Sequence, residues 1–293
     1  MQVCQVELIF MLVLEKCYAF NLKTNMTALI FNLPPFILLL IMMTTFILGG
    51  LVMLCLVQKY VTWLHFADHT DFGEIFANSM SVIFGFILAF ITITVWQNYN
   101  NVSDTVSKEA NTLFNMYRTI EAYPPEVRDE GQKQLKIYVQ EVVETEWAML
   151  AKGQYDLRAY QDLKSFHDLI IHYVPKNNGE LAAQQEELRL LSSYRELRRN
   201  RVESAKSLID KPMWTALIFS AVLFLFFSSL FKMRNLRIHA TMIALLGTSI
   251  SLIFYLLILY NNPFIGPSAL QSEPFERLLD YYWVGQKTLG ITK

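Results

Sequence analysis

Apolar residues in this chain fall into four long blocks, separated by stretches in which they recur every three to four residues. The first block, about 36–57, opens after Pro34-Pro35 and holds no charge over 22 residues. That is long enough to cross a hydrocarbon layer as a helix. The other blocks fall at about 73–96, 213–231 and 240–260. The second is unusual because helical patterning continues past Trp96 without Pro or Gly until Pro124. A single rod of about 50 residues would be roughly 75 Å long, so it would leave the membrane and enter a soluble domain. Within its apolar half, Asn78, Ser81, Gly85, Ala89, Thr92 and Trp96 recur at spacings of three and four. They therefore share one face. A stripe of small and polar groups inside a membrane faces protein or water, because exposure to lipid costs free energy.

Residues 97–212 read as helical throughout. Val102, Val106, Ala110, Leu113, Tyr117 and Ile120 keep the 3/4 rhythm along the rod. A second helix, about 126–151, carries Leu135, Tyr138, Val142, Val143, Glu146, Trp147 and Leu150 on a broad face. Asp156 is a candidate cap for a third helix, about 157–174, which Pro175 and the turn at 177–179 end. A fourth, about 180–209, presents Leu181, Leu188, Leu191 and Val202 inward and leads to the third span at Pro212. The predicted fold is an all-α membrane protein: four transmembrane helices, with a helical bundle inserted between spans two and three and long helices continuous from membrane into domain. The expected units are an amino-terminal segment (1–35), spans one and two (36–96), the bundle (97–212), spans three and four (213–260) and a tail (261–293). Residues 1–25 are apolar but interrupted by Glu7, Glu15 and Lys16. They are expected to be an interfacial helix, or residues upstream of a true start at Met26, rather than a span.

Composition agrees with several spans: 53% of the 293 residues are hydrophobic and 14% aromatic. The net charge of −1 comes with no basic block, which argues against a nucleic-acid partner. Cys4, Cys17 and Cys55 form no metal or disulfide spacing. No nucleophile elbow, phosphate loop, dinucleotide fingerprint or zinc-hydrolase motif occurs, so the chain is not expected to be an enzyme or to need a cofactor. His65 and His69 beside Asp68 and Asp71 have helical metal spacing. An ordinary interfacial loop is the favoured reading there, and no metal site is assigned. Trp63, Trp96, Tyr99 and Trp214 sit at span ends, as in an aromatic belt. Glu109 inside the bundle calls for a partner, because an isolated buried charge is costly. Arg198 or Arg201 on the returning helix is the candidate.

Two motifs together resemble the bestrophin channels. An apolar helix containing Gly85 leads into Trp96-Gln97-Asn98-Tyr99, and Asn262-Pro263-Phe264 follows the last span. From about residue 26 the chain more fully resembles a bacterial bestrophin-like family of unknown function, through Trp96, Tyr99, Glu109, Tyr117-Arg118, Tyr138, Glu146-Trp147, Arg198-Arg199-Arg201, Trp214 and Pro263-Phe264. The resemblance implies a homo-oligomeric ion channel, a pentamer, in a bilayer, conducting inorganic ions along span two. Asn78, Val82 and Phe86 would line the pore, with Ala89 of the same stripe. By position alone, Asp71 and Glu74 at its mouth are either an acidic ring or, the favoured reading, an ordinary polar flank. Asn78 departs from the apolar neck of bestrophins, so their selectivity does not carry over. Pro267, Ser268 and Ala269 replace the acids that follow the bestrophin Asn-Pro-Phe-Gly, so no calcium gate of that type is expected. The implied location is a bacterial inner membrane with the bundle in the cytoplasm, although the positive-inside count leans weakly the other way. The alternative function is a non-conducting, membrane-anchored helical sensor or scaffold.

Overall fold

A computed structural model describes residues 33–61, 70–152, 154, 157–231, 233 and 235–288. The segment 1–25, Trp63, His65, Asp68, His69 and the proposed cap Asp156 lie outside the described residues, as do the side chains of Asp71 and Glu74. Among the described residues there is no strand. The chain runs as α1 (Pro35–Tyr60), α2 (Thr70–Thr119), a 3-10 turn (Ile120–Ala122), α3 (Pro125–Glu141), a π-turn (Val142–Glu146) and α4 (Trp147–Leu150). It continues as α5 (Leu157–Ile171), α6 (Asn178–Glu203), α7 (Lys211–Ser229), α8 (Leu236–Asn261) and α9 (Glu273–Thr288). Among the described residues, four helices are long and apolar enough to cross a membrane: Pro35–Tyr60, Asn78–Ala122, Lys211–Ser229 and Leu236–Asn261.

Prolines open three of these elements. Pro35, Pro125 and Pro212 occupy first-turn positions of α1, α3 and α7. There the missing N–H would lack a helical partner anyway, and the fixed φ already suits the helix. Asn177, which the sequence places in a stop, starts α6 instead: its side chain accepts from the Glu180 N–H at 2.9 Å.

Two cores stack along α2. In the membrane half, Phe84 stacks on Phe224 of α7 at 4.7 Å between centroids. Leu88, Ile91 and Val95 continue that buried side beside Leu217 and Phe254. In the bundle, Val106, Leu113 and Met116 of α2 join Leu135, Tyr138, Phe166 and Tyr194. Leu181, read from sequence as an inner residue, is instead exposed near the start of α6.

Close approach of α1 and α8 depends on glycine. A Cβ at Gly50 would meet Ile243 at 2.9 Å, and one at Gly247 would meet the Phe46 carbonyl oxygen at 3.0 Å. Gly49 faces open space, so of the adjacent pair only Gly50 serves this contact. Backbone cannot yield as a flexible side chain can. Gly247→Val is therefore expected to destabilise the protein by about 1–3 kcal/mol through overpacking. Thermal unfolding in detergent, with Gly49→Val as the neutral comparison, measures it.

Candidate functional site

The site has an outer wall on α2 and a charged cluster behind it. Along α2, Phe84, Leu88, Ile91, Val95, Val102, Val106, Leu113 and Met116 are buried on one side. On the opposite side Ile75, Asn78, Val82, Phe86, Ala89 and Ile93 are exposed. Val82 and Phe86 are 69% and 76% exposed, although both are apolar and lie within a span. The same helical line continues beyond the span through the exposed Asp104, Ser107, Asn111 and Arg118. The four proposed pore residues, Asn78, Val82, Phe86 and Ala89, thus share one outward face of a 50-residue helix.

The buried side of the same helix holds Glu109, which has no exposed surface. Arg201 of α6 reaches it by a two-pronged contact: Nε to Oε2 at 2.6 Å and Nη2 to Oε1 at 3.0 Å. Arg201 also donates to Glu146 at 3.2 Å, and Arg198 binds Glu146 at the same distance. Of the two arginines named as candidates, the structure places Arg201 on Glu109 and Arg198 on Glu146. Two arginines and two glutamates balance in charge, which is the condition under which burial is tolerated.

A tyrosine relay completes the cluster. Tyr194 donates to Glu109 at 3.0 Å, so its oxygen is left to accept from the Tyr138 hydroxyl. Burial, and next the nearby glutamates, raise both phenols above the ordinary tyrosine range, so both remain neutral donors. Burial opposes the charge on Arg201, but Glu109 and Glu146 outweigh it and hold the guanidinium firmly protonated.

Glu146 owes its position to the π-turn. Tyr138, Val142, Glu146 and Leu150 are all buried and follow one another at intervals of four. In a regular α-helix such positions drift by about 40° per step. The wider turn over Val142–Glu146 takes up the drift and keeps Glu146 on the inner face.

The tail after the last span closes over the cluster. Asn262 ends α8, and Gly266, at φ 94°, supplies the left-handed residue of the following turn. Pro263 accepts from Leu270 N–H at 2.8 Å, and Phe264 packs edge-on to Trp147 at 5.5 Å. Trp147 donates its indole N–H to the Leu270 carbonyl at 3.0 Å. The Tyr99 hydroxyl donates to the Ser268 carbonyl at 2.6 Å, which joins the two sequence motifs in space. Trp96 is half exposed on the rod. Arg201 lies 5.2 Å from the Trp147 ring and 5.6 Å from that of Phe275. Glu273 pairs with Arg277 at 2.5 Å, and Glu276 accepts from Ser272. No group of three metal-ligating side chains occurs among the described residues.

The sequence alone does not assign Glu146, Tyr138 or Tyr194 to this cluster. Their rhythm marks a buried face, but only the tertiary arrangement brings them to Glu109. Asn261 is the last residue of α8. Its side chain accepts from Ile209 N–H at 2.8 Å and bonds Ser207, fixing the link between α6 and α7.

A family model for the bestrophin-like domain matches residues 44–275. A crystal structure of a membrane protein is similar in fold, with a TM-score of 0.55 at 11% identity, over 84% of this chain and 97% of that one. No curated protein matches the chain.

Proposed function

Because this chain belongs to the bestrophin-like family, we propose that it is a homo-oligomeric ion channel, a pentamer without enzymatic activity, in which copies of α2 line one pore. The observation that carries the reading is the outward face of α2. Asn78, Val82, Phe86 and Ala89 share it, and it continues in register beyond the span as Asp104, Ser107, Asn111 and Arg118. A lipid-facing surface has no use for Asn78. A ring of copies would turn this line toward a common axis, with Val82 and Phe86 forming an apolar neck that gates by dewetting. Asn78 would wet the level beside it, and Asp71 and Glu74 would stand at the mouth. The cluster around Glu109 and Arg201 holds the wall from behind. We place the protein in a bacterial inner membrane with the bundle in the cytoplasm and inorganic ions as the permeant species.

Planar-bilayer recording of the purified protein tests this. Unitary currents are expected, and Phe86→Ala or Val82→Ala should raise conductance or open probability by about twofold or more. Electron microscopy in detergent should show a ring with an axial hole. A monomer or dimer with α2 packed shut would overturn the proposal.

A second reading, a non-conducting sensor or scaffold, draws on the far end of the bundle. There Ile171, Val174 and Leu181 are exposed, Val174 to 77%. Loss of a bound partner on Val174→Asp, with currents absent throughout, would favour it.

A further inference from the structure

The two flanks of α2, on either side of its outward line, differ in size. On one flank Ile83 and Phe90 are 55% and 63% exposed. On the other, Gly85 and Ala89 are exposed, and a Cβ at Gly85 would meet no described atom within 4 Å. An α-helix turns by about 100° per residue. Ala89 and Phe90 therefore diverge by that angle, with Phe86 close to the bisector.

The division continues beyond the span. About eighteen residues complete five helical turns, so each direction recurs at that interval. On the line of Phe86 comes Asp104, and on the line of Phe90 comes Lys108. On the lines of Gly85 and Ala89 come Ser103 and Ser107. One flank is thus long and the other small both inside the span and beyond it, where lipid cannot be the reason. Asp104 and Lys108 are both exposed. They stand four apart with the acid first, the order that favours a pair within one helix. Yet neither forms an ion pair among the described residues.

From this complementarity of size and charge we infer that neighbouring copies of the chain meet through the unequal flanks of α2. Ile83 and Phe90 of one copy fill the space at Gly85 and Ala89 of the next, a close approach that small residues four apart permit. Lys108 crosses Ser103 and Ser107 of the next copy to reach its Asp104. Two different surfaces meet, so the contact repeats around an axis instead of closing at two copies. In a five-membered ring the two neighbours lie about 108° apart as seen from one copy, close to the angle between Ala89 and Phe90. The inference rests on the ring proposed above and names what closes its wall. Without the neighbour's Phe90, the wall has a gap at Gly85.

Disulfide formation tests it in the full-length protein with Cys4, Cys17 and Cys55 changed to alanine. Ala89→Cys combined with Phe90→Cys should, on oxidation in native membranes, give a covalent ladder that reaches five copies. Either substitution alone should give none, because the facing position then lacks a thiol. A ring seen by native mass spectrometry but without a ladder would overturn this inference and leave the ring standing. Links from a single variant, stopping at dimers, would overturn both. A ladder in a protein that carries no current would support the inference and remove conduction alone. Charge reversal reads the outer contact with the membrane face intact. Lys108→Asp should lower the ring fraction by about fivefold, the upper end for one exposed ion pair, and adding Asp104→Lys should restore it. A ring as abundant in Lys108→Asp as in the parent would overturn the charged half of the contact.

Discussion

Arg201→Met is expected to destabilise the bundle by about 3–5 kcal/mol, the cost of leaving a buried charge without its partner. Methionine restores much of the volume but none of the five donors. Glu109 then loses both arms of its contact, and Glu146 keeps only Arg198. Glu109→Gln combined with Arg201→Met should recover part of the loss, because the double variant no longer buries an unpaired charge. Exposed pairs provide the contrast. Arg189 and Glu186 lie 2.6 Å apart at the surface, and Arg189→Ala should leave the unfolding midpoint unchanged. Thermal and denaturant unfolding in detergent measures all three. An Arg201→Met protein as stable as the parent would mean that the cluster is better solvated than its geometry implies.

Glu187→Gln is expected to act in the opposite direction. Glu187 on α6 is fully buried, and neither carboxyl oxygen has a hydrogen-bond partner. The Tyr123 hydroxyl, which feels Glu187 electrostatically, is likewise unpartnered. Burial, with a smaller contribution from Glu186, pushes the Glu187 carboxyl up to about 9. Tyr123 and Tyr173 are the other titratable groups nearby. The sign follows from linkage. In the unfolded chain this acid ionises near 4.5, whereas in the fold it stays protonated to about 9. Below the lower value it costs nothing. Between the two values, folding loses roughly 1.4 kcal/mol for each pH unit, or about 3 kcal/mol by pH 7. A glutamine side chain has the same shape and no such penalty. The variant should therefore melt higher than the parent at pH 8, with the gap closing toward pH 4.5. A gap independent of pH would show that Glu187 is already charged in the fold.

The spans and the rod were legible because they depend on local properties: apolar length, helical period and proline punctuation. The charged cluster was legible only in part. Glu109 sits beside Ala110 and Leu113 in a buried rhythm and so demands a cation, but two arginines three residues apart on α6 fitted equally well. The choice turns on the π-turn, which brings Glu146 inward to take Arg198, and one extra residue in a helical turn leaves no mark in a hydrophobic pattern. The fourth bundle helix ends at Glu203, earlier than its pattern suggests. Asn261, more than fifty residues away in sequence, captures the backbone at Ile209, and composition cannot report such a contact. The return of the tail was hidden for the same reason. In α9, Phe275, Leu278 and Tyr282 face the bundle, and the charges interleaved among them mask that face in the sequence.

The unbroken course of α2 carries a mechanical consequence. The helix is unbroken from Thr70 to Thr119, so it would act as a lever about the aromatic contact where Tyr99 meets Tyr260 at 4.9 Å. The arm from Phe86 to Glu109 is about 35 Å at 1.5 Å per residue. A tilt of only about 3° therefore displaces one end by roughly 2 Å relative to the other. A shift of α6 or the tail against Glu109 would travel along this one continuous helix to the level of Val82 and Phe86. Stiffness along this one element makes the far side of the bundle mechanically adjacent to the membrane.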